Sequence, residues 1–186
     1  MKRKITLGLS IWLLITLLLG GFEVFSILPR QFFGISVFVT VTTVTLLYFK
    51  NKNSKEFVDS ISLKQIALVH IFRIIAGLLF LYYSDNLPEA FVSKASYGDI
   101  ISGLLAILAL LFNRKFLHYI FHLFGLIDLI TALSIGTYFN IIGNSKMATI
   151  FYLPLILIPL FIVPILLVTH ISSLKKLNQK NYNENI

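Results

Sequence analysis

Residues His70–Tyr83 read His-Ile-Phe-Arg-Ile-Ile-Ala-Gly-Leu-Leu-Phe-Leu-Tyr-Tyr. One charged residue, Arg73, interrupts an apolar run that, taken from Lys64, is long enough to cross a bilayer as a helix. A charge at the bilayer centre costs about 2.5–3.5 kcal/mol even on the lenient insertion scale, so it needs a partner or a task. This stretch decides the fold: the chain is membrane-spanning, and its other helices must supply an opposite charge at the same depth.

Composition agrees. The 186 residues are 57% hydrophobic and 13% charged, with a mean hydropathy of +0.87. A soluble domain carries about 25% charged residues, so this is the balance of an all-α polytopic membrane bundle. The chain has no cysteine, which excludes disulfides, thiolate metal sites and a cysteine nucleophile.

Six spans are expected. Basic Met1–Lys4 precedes apolar Ile5–Phe22, the outline of a signal peptide. However, Gly20-Gly21-Phe22-Glu23 offers no small-x-small cleavage site, so a retained first helix is expected. Phe32–Phe49 is rich in Val and Thr and would suit a strand in water. In lipid every backbone group must be bonded within its own segment, so helix is the better reading.

Lys50–Lys64 reads as a short charged loop with Ser54 and Ser60 as caps. The third span is Lys64–Tyr83. Pro88 and Glu89 then suit the start of a short surface helix, before a fourth span from Ala95 to Phe112. The fifth runs from Phe116 to Thr137. The sixth, Thr149–Ser172, carries Pro154, Pro159 and Pro164 and should be bent or locally unwound. Residues 1–176 form the transmembrane domain, and 177–186 are read as a disordered cytoplasmic tail.

Orientation follows from the basic residues. One side collects Lys2, Arg3, Lys4, Lys50, Lys52, Lys55, Lys64, Arg114, Lys115, Lys175, Lys176 and Lys180, and the other only Arg30, Lys94 and Lys146. Both termini are therefore expected in the cytoplasm, in the bacterial inner membrane. The net charge of +8 is explained as topology, and nucleic acid is rejected as a partner.

At about 1.5 Å per residue, Arg73 and Asp128 both fall near the midplane and are expected to pair, directly or through a water. Arginine suits a desolvated carboxylate better than lysine does. Asp99 and Glu23 are placed near the outer ends of their helices, either as headgroup-level carboxylates or as the outer part of a polar column. The histidines His70, His118, His122 and His170 fall in the cytoplasmic half. His118 and His122 are one turn apart, a spacing that can hold a metal, and His70 and His122 lie at a depth that suits the axial pair of a haem. Against a ligand, His118 and His170 are placed at headgroup level, where an amphipathic ring is comfortable. The hydrolytic zinc signature is absent.

His70-x-x-Arg73, Gly98-Asp99, Gly125-x-x-Asp128 and the proline ladder leading to His170 resemble an uncharacterised group of small bacterial multi-pass membrane proteins. The resemblance implies a class and no activity. Three functions stay open: a small transporter or membrane ligand-binding protein with its site at Arg73 and Asp128, a haem- or metal-binding membrane protein, and a structural subunit. An enzyme is disfavoured and no catalytic residue is assigned. The partners expected are the bilayer, a small molecule or ion, and a second copy or other membrane protein.

Overall fold

Six apolar stretches, each long enough to cross a membrane, set the architecture. The computed structural model describes residues 2–179, and among them there is no strand. Its α-helices are α1 (Lys2–Gly21), α2 (Gln31–Lys50), α3 (Lys52–Asp59), α4 (Leu63–His70), α5 (Arg73–Tyr82), α6 (Glu89–Phe112), α7 (Lys115–Ile141) and α8 (Val163–Leu177). The expected tail lies outside the described residues, except that Leu177 ends α8 and only Asn178 and Gln179 follow it there.

Cross-loop ties show that successive spans run in alternating directions. At one end the Arg30 guanidinium donates to the Gly143 carbonyl, and the Thr149 hydroxyl donates to Asn86 O at 2.6 Å. At the other end Ser172 donates to Asp59 at 2.6 Å, and Lys176 donates to Ile61 O at 2.7 Å. The span Ile158–Leu177 is the most enclosed, 61% buried, whereas α1 lies at the edge with 11% of its span buried. There Trp12 meets Phe161 edge-on at 4.9 Å.

Four expectations about the helices change. The third span is not one continuous α-helix: α4 ends at His70 and α5 begins at Arg73. Tight i→i+3 bonds, Ile71 N to Leu68 O (3.3 Å) and Phe72 N to Val69 O (3.2 Å), bridge the break. The segment after Lys50 is not a loop throughout but holds α3, capped by Asn51, whose side chain accepts from Ser54 N. Ser60 is its C-terminal flank, and Ser62 opens α4 with a capping box to Gln65.

Third, no separate surface helix follows Pro88, because α6 runs unbroken from Glu89. Pro88 supplies the extended residue before a helix, and nothing between Glu89 and Ala95 stops it. Fourth, the sixth span is locally unwound, one of the two outcomes expected, and its start moves from Thr149 to Ile158. Ser145–Phe151 is a 3₁₀ stretch, Pro154 precedes the helix after a cis bond, and Ile158–Ile162 is π-helical before α8 begins at Val163. Each proline lacks the N–H an α-helix would use there.

Candidate functional site

Arg73 opens α5 at the break and is 1% exposed. Its Nε donates to Asp99 Oδ1 of α6 at 2.7 Å, and its Nη2 donates to Asp128 Oδ2 of α7. Nη1 lies 3.4 Å from both the Gly125 carbonyl and His170 Nε2 of α8. Four elements thus meet on one guanidinium. Both carboxylate side chains are 10% exposed.

Glycines make the approach possible. A Cβ on Gly98 would overlap the Asp128 carboxylate, and one on Gly125 would overlap the His170 ring and lie 2.9 Å from Arg73 Nη1. The carboxylate of α7 therefore reaches the arginine through a notch in α6, and the arginine and His170 occupy a notch in α7. Gly77 of α5 holds α5 against α6 in the same way: a Cβ there would come 2.6 Å from Ser96 O.

The four histidines are all buried. His170 Nδ1 and His122 Nδ1 are 3.0 Å apart, and His70 Nε2 is 3.0 Å from Thr169 Oγ1. The His70 and His170 rings lie 4.2 Å apart, and His118 stacks on His122 at 6.2 Å. His118 Nε2 is 3.4 Å from Asn113 Oδ1 in the α6–α7 turn. His70 Nδ1, His118 Nδ1 and His122 Nε2 are buried and meet no protein partner among the described residues.

This packing does not fit the haem considered from the sequence. His170 sits 4.2 and 5.2 Å from the two rings proposed as axial ligands, and Phe121 sits 5.3 and 4.3 Å from them. The slot a macrocycle needs is filled. Among the described residues no three His, Asp or Glu side chains are grouped to hold a metal ion.

Three placements are corrected. Asp99 is not near a helix end. Because α6 begins at Glu89, it is the eleventh of 24 residues, and it joins Arg73. His170 is not at an exposed helix end: α8 continues to Leu177, and the ring is fully buried against Arg73. His118 is likewise buried, at 1% exposure. Glu23 is exposed at the end of α1, with a left-handed backbone (φ 53°), and does not join the cluster. The expected column therefore loses its outer member.

On the side of the cluster away from the histidines lies a cavity of about 50 Å³, whose lining includes Asp99, Ala132, Thr137, Asn140 and Pro159. Asn140 Oδ1 is buried with no protein partner among the described residues. By volume the space can hold a few waters, but its walls are mostly apolar, with Asp99, Thr137 and Asn140 the polar side chains among them.

A family profile, described as a domain of unknown function (DUF8737), matches residues 31–178. The chain belongs to this family. The DUF8737 region begins with α2, leaves α1 outside and contains every residue of the Arg73–histidine cluster. No curated protein and no solved structure matches the chain.

Sequence reasoning missed Asp59. Its Oδ1 accepts from the Tyr48 hydroxyl at 3.0 Å and from Ser172 at 2.6 Å, locking α3 to α2 and α8. Lys175 lies 4.0 Å above the Phe49 ring beside it. A capped amphipathic segment between Asn51 and Asp59 was the available signal.

Proposed function

We propose that this DUF8737 protein crosses the cytoplasmic membrane six times with both termini inside, and that Asp99–Arg73–Asp128 is the ligand-binding centre of a small transporter. Membrane insertion is supported by the outer faces of the helices, where Phe38, Leu78, Leu111, Phe116 and Ile127 are among many exposed large apolar side chains. The distribution of basic residues supports the orientation.

One observation carries the ligand reading. A guanidinium needs one carboxylate for neutrality, yet Arg73 is gripped by two. With neutral histidines the centre carries one net negative charge in a buried place, and such a charge asks for a cation or a proton. The adjoining cavity, the break before Arg73 and the π-helical segment at Ile158–Ile162 supply space and non-α backbone beside it.

The chain lacks cysteine, so Ala132→Cys on the cavity wall is a clean probe. In membrane vesicles of both orientations, a small membrane-impermeant thiol reagent should label it from at least one side. A thiol that stays unlabelled from both sides at every pH and salt condition overturns the transporter reading.

A further inference from the structure

α1 is held closely against the bundle along one half only. Gly20 packs so tightly that a Cβ there would come 2.8 Å from Ile156 Cγ2, and Trp12 meets Phe161 edge-on at 4.9 Å. Toward its basic end the helix stands off, and a Cβ on Gly8 would meet nothing within 4 Å. The space left between α1, α2, α3 and α8 is a cavity of about 520 Å³, with Gly8 and Trp12 on one wall, Val44 and Leu47 on another, and Val58 and Val168 completing it. Val39 and Leu47 on its walls are 54% and 49% exposed, so the cavity is open to the outside of the bundle.

The interior is apolar. The Thr40 hydroxyl donates to Ser36 O at 2.6 Å and the Thr169 hydroxyl to Leu166 O at 2.7 Å, each within its own helix. An apolar void stays free of water and takes an apolar guest. Residues 39–47 of α2 rise about 12 Å, close to the depth of one leaflet in a core about 30 Å thick. A volume of about 520 Å³ over that length is only about 7 Å across. A helix, about 10–12 Å wide, does not fit. A hydrocarbon chain does, since its carbons need contact spacings of about 3.5–4.0 Å.

Charge selects the headgroup. Lys4 adjoins Ile5 of the wall, Lys55 adjoins Ser54, and Lys50 follows Leu47 by one turn of α2. All three are exposed, and none has an ion pair among the described residues. The neighbouring carboxylates are already engaged: Glu56 pairs with Lys52 at 3.8 Å, and Asp59 accepts from Tyr48 and Ser172. Three cations thus stand at the mouth of an apolar slot one leaflet deep.

We propose that this cavity binds one anionic phospholipid of the leaflet on the basic side, with an acyl chain in the slot and the phosphate among Lys4, Lys50 and Lys55. The proposal rests on the membrane insertion argued above and is independent of the transporter centre. Because α1 lies outside the DUF8737 region, the lipid joins that helix to the bundle of the family. The site also reaches toward the centre: Thr169 lines the cavity, and its Oγ1 is 3.0 Å from His70 Nε2.

Trp12 is the only tryptophan in the chain and lines the cavity, so its fluorescence reads occupancy. The full chain is reconstituted in phosphatidylcholine vesicles with a small fraction of phosphatidylglycerol or phosphatidylcholine brominated midway along the acyl chain. Brominated phosphatidylglycerol should quench Trp12 with an apparent affinity at least about fivefold higher, the share of one basic residue at an anionic surface. Changing Lys4, Lys50 and Lys55 together to Gln should bring the two lipids level. Gly8→Phe, and separately Val44→Phe, fill the slot, keep every lysine and should abolish the preference as well.

Equal quenching of wild type by both lipids overturns the site and leaves membrane insertion standing. No quenching by either overturns insertion and the site together. A preference that survives the three glutamines, or survives in both filled variants, shows a general attraction of anionic lipid to the bundle and overturns the site. If neither filled variant folds, native mass spectrometry of the detergent-solubilised wild type decides: one phosphatidylglycerol retained per chain supports the site, and none retained overturns it.

Discussion

Arg73 and Asp99 are joined by an Nε–Oδ1 contact of 2.7 Å between α5 and α6. It ties the first residue of a restarted helix to the middle of an unbroken one. The break at Ile71–Phe72 and the contact belong together, because the tightened turn sets where the α5 side chains emerge. Asp128 alone would leave Nε facing α6 without an acceptor, and a buried unpaired donor is expensive.

Asp99→Leu should therefore lower stability by about 3–5 kcal/mol, the usual cost of removing one partner of a buried ion pair. Asp99→Asn keeps an oxygen for Nε and loses only the charge, so it should cost roughly 1 kcal/mol, the gap between charged and neutral hydrogen bonds. Thermal unfolding in detergent checks the order. Equal midpoints for the two variants would show that the contact does not hold α5 to α6.

Arg73→Lys tests the fork itself. An ammonium on a flexible stem does not reach two carboxylates placed for Nε and Nη2 with fixed geometry. One carboxylate should be left unpaired, at about 1.5–3 kcal/mol. A variant as stable as wild type would mean that the site needs a charge and not its shape.

The opposite-sign pair was legible because both partners lie deep inside long apolar runs, and depth follows from counting residues at a fixed rise. Asp99 was misplaced by a counting origin. Pro88-Glu89 is a sound helix start, but a start signal does not say how long the helix is, and taking Ala95 as the origin moved Asp99 toward the surface. His170 was misplaced for the mirror reason. Lys175 and Lys176 look like the water edge, yet Lys175 lies over the Phe49 ring and Lys176 reaches the Ile61 carbonyl, so α8 continues beneath them. The break before Arg73 has no sequence signal at all: His70-Ile-Phe-Arg contains neither glycine nor proline, and tertiary packing outweighs local preference there.

Asp59 should behave as a latch. It is the shared acceptor for Tyr48 and Ser172, and Tyr48 is 1% exposed. Asp59→Ala strands both hydroxyls and should cost about 1–3 kcal/mol, whereas Tyr48→Phe removes one donor and should cost about 0.5–1.5 kcal/mol. Hydrogen exchange across Lys52–Ile61 is the direct readout, and faster exchange confined to that segment is expected. Unchanged protection in Asp59→Ala would mean that α3 is held by its apolar face alone.

Gly98 and Asp128 should be coupled. A methyl group on Gly98 falls where the Asp128 carboxylate lies, so Gly98→Ala must displace that carboxylate or part α6 from α7. Its helix propensity alone would favour alanine by about 1 kcal/mol, yet the clash should make it destabilising by roughly 3 kcal/mol, on the scale of a broken buried pair. Asp128→Ala removes the obstacle and has its own cost. In the double variant the alanine at 98 should then be close to neutral, giving an interaction energy of about 2–3 kcal/mol. Additive effects in that cycle would mean that the carboxylate does not enter the notch in α6, and the approach of Asp128 to Arg73 would need another route.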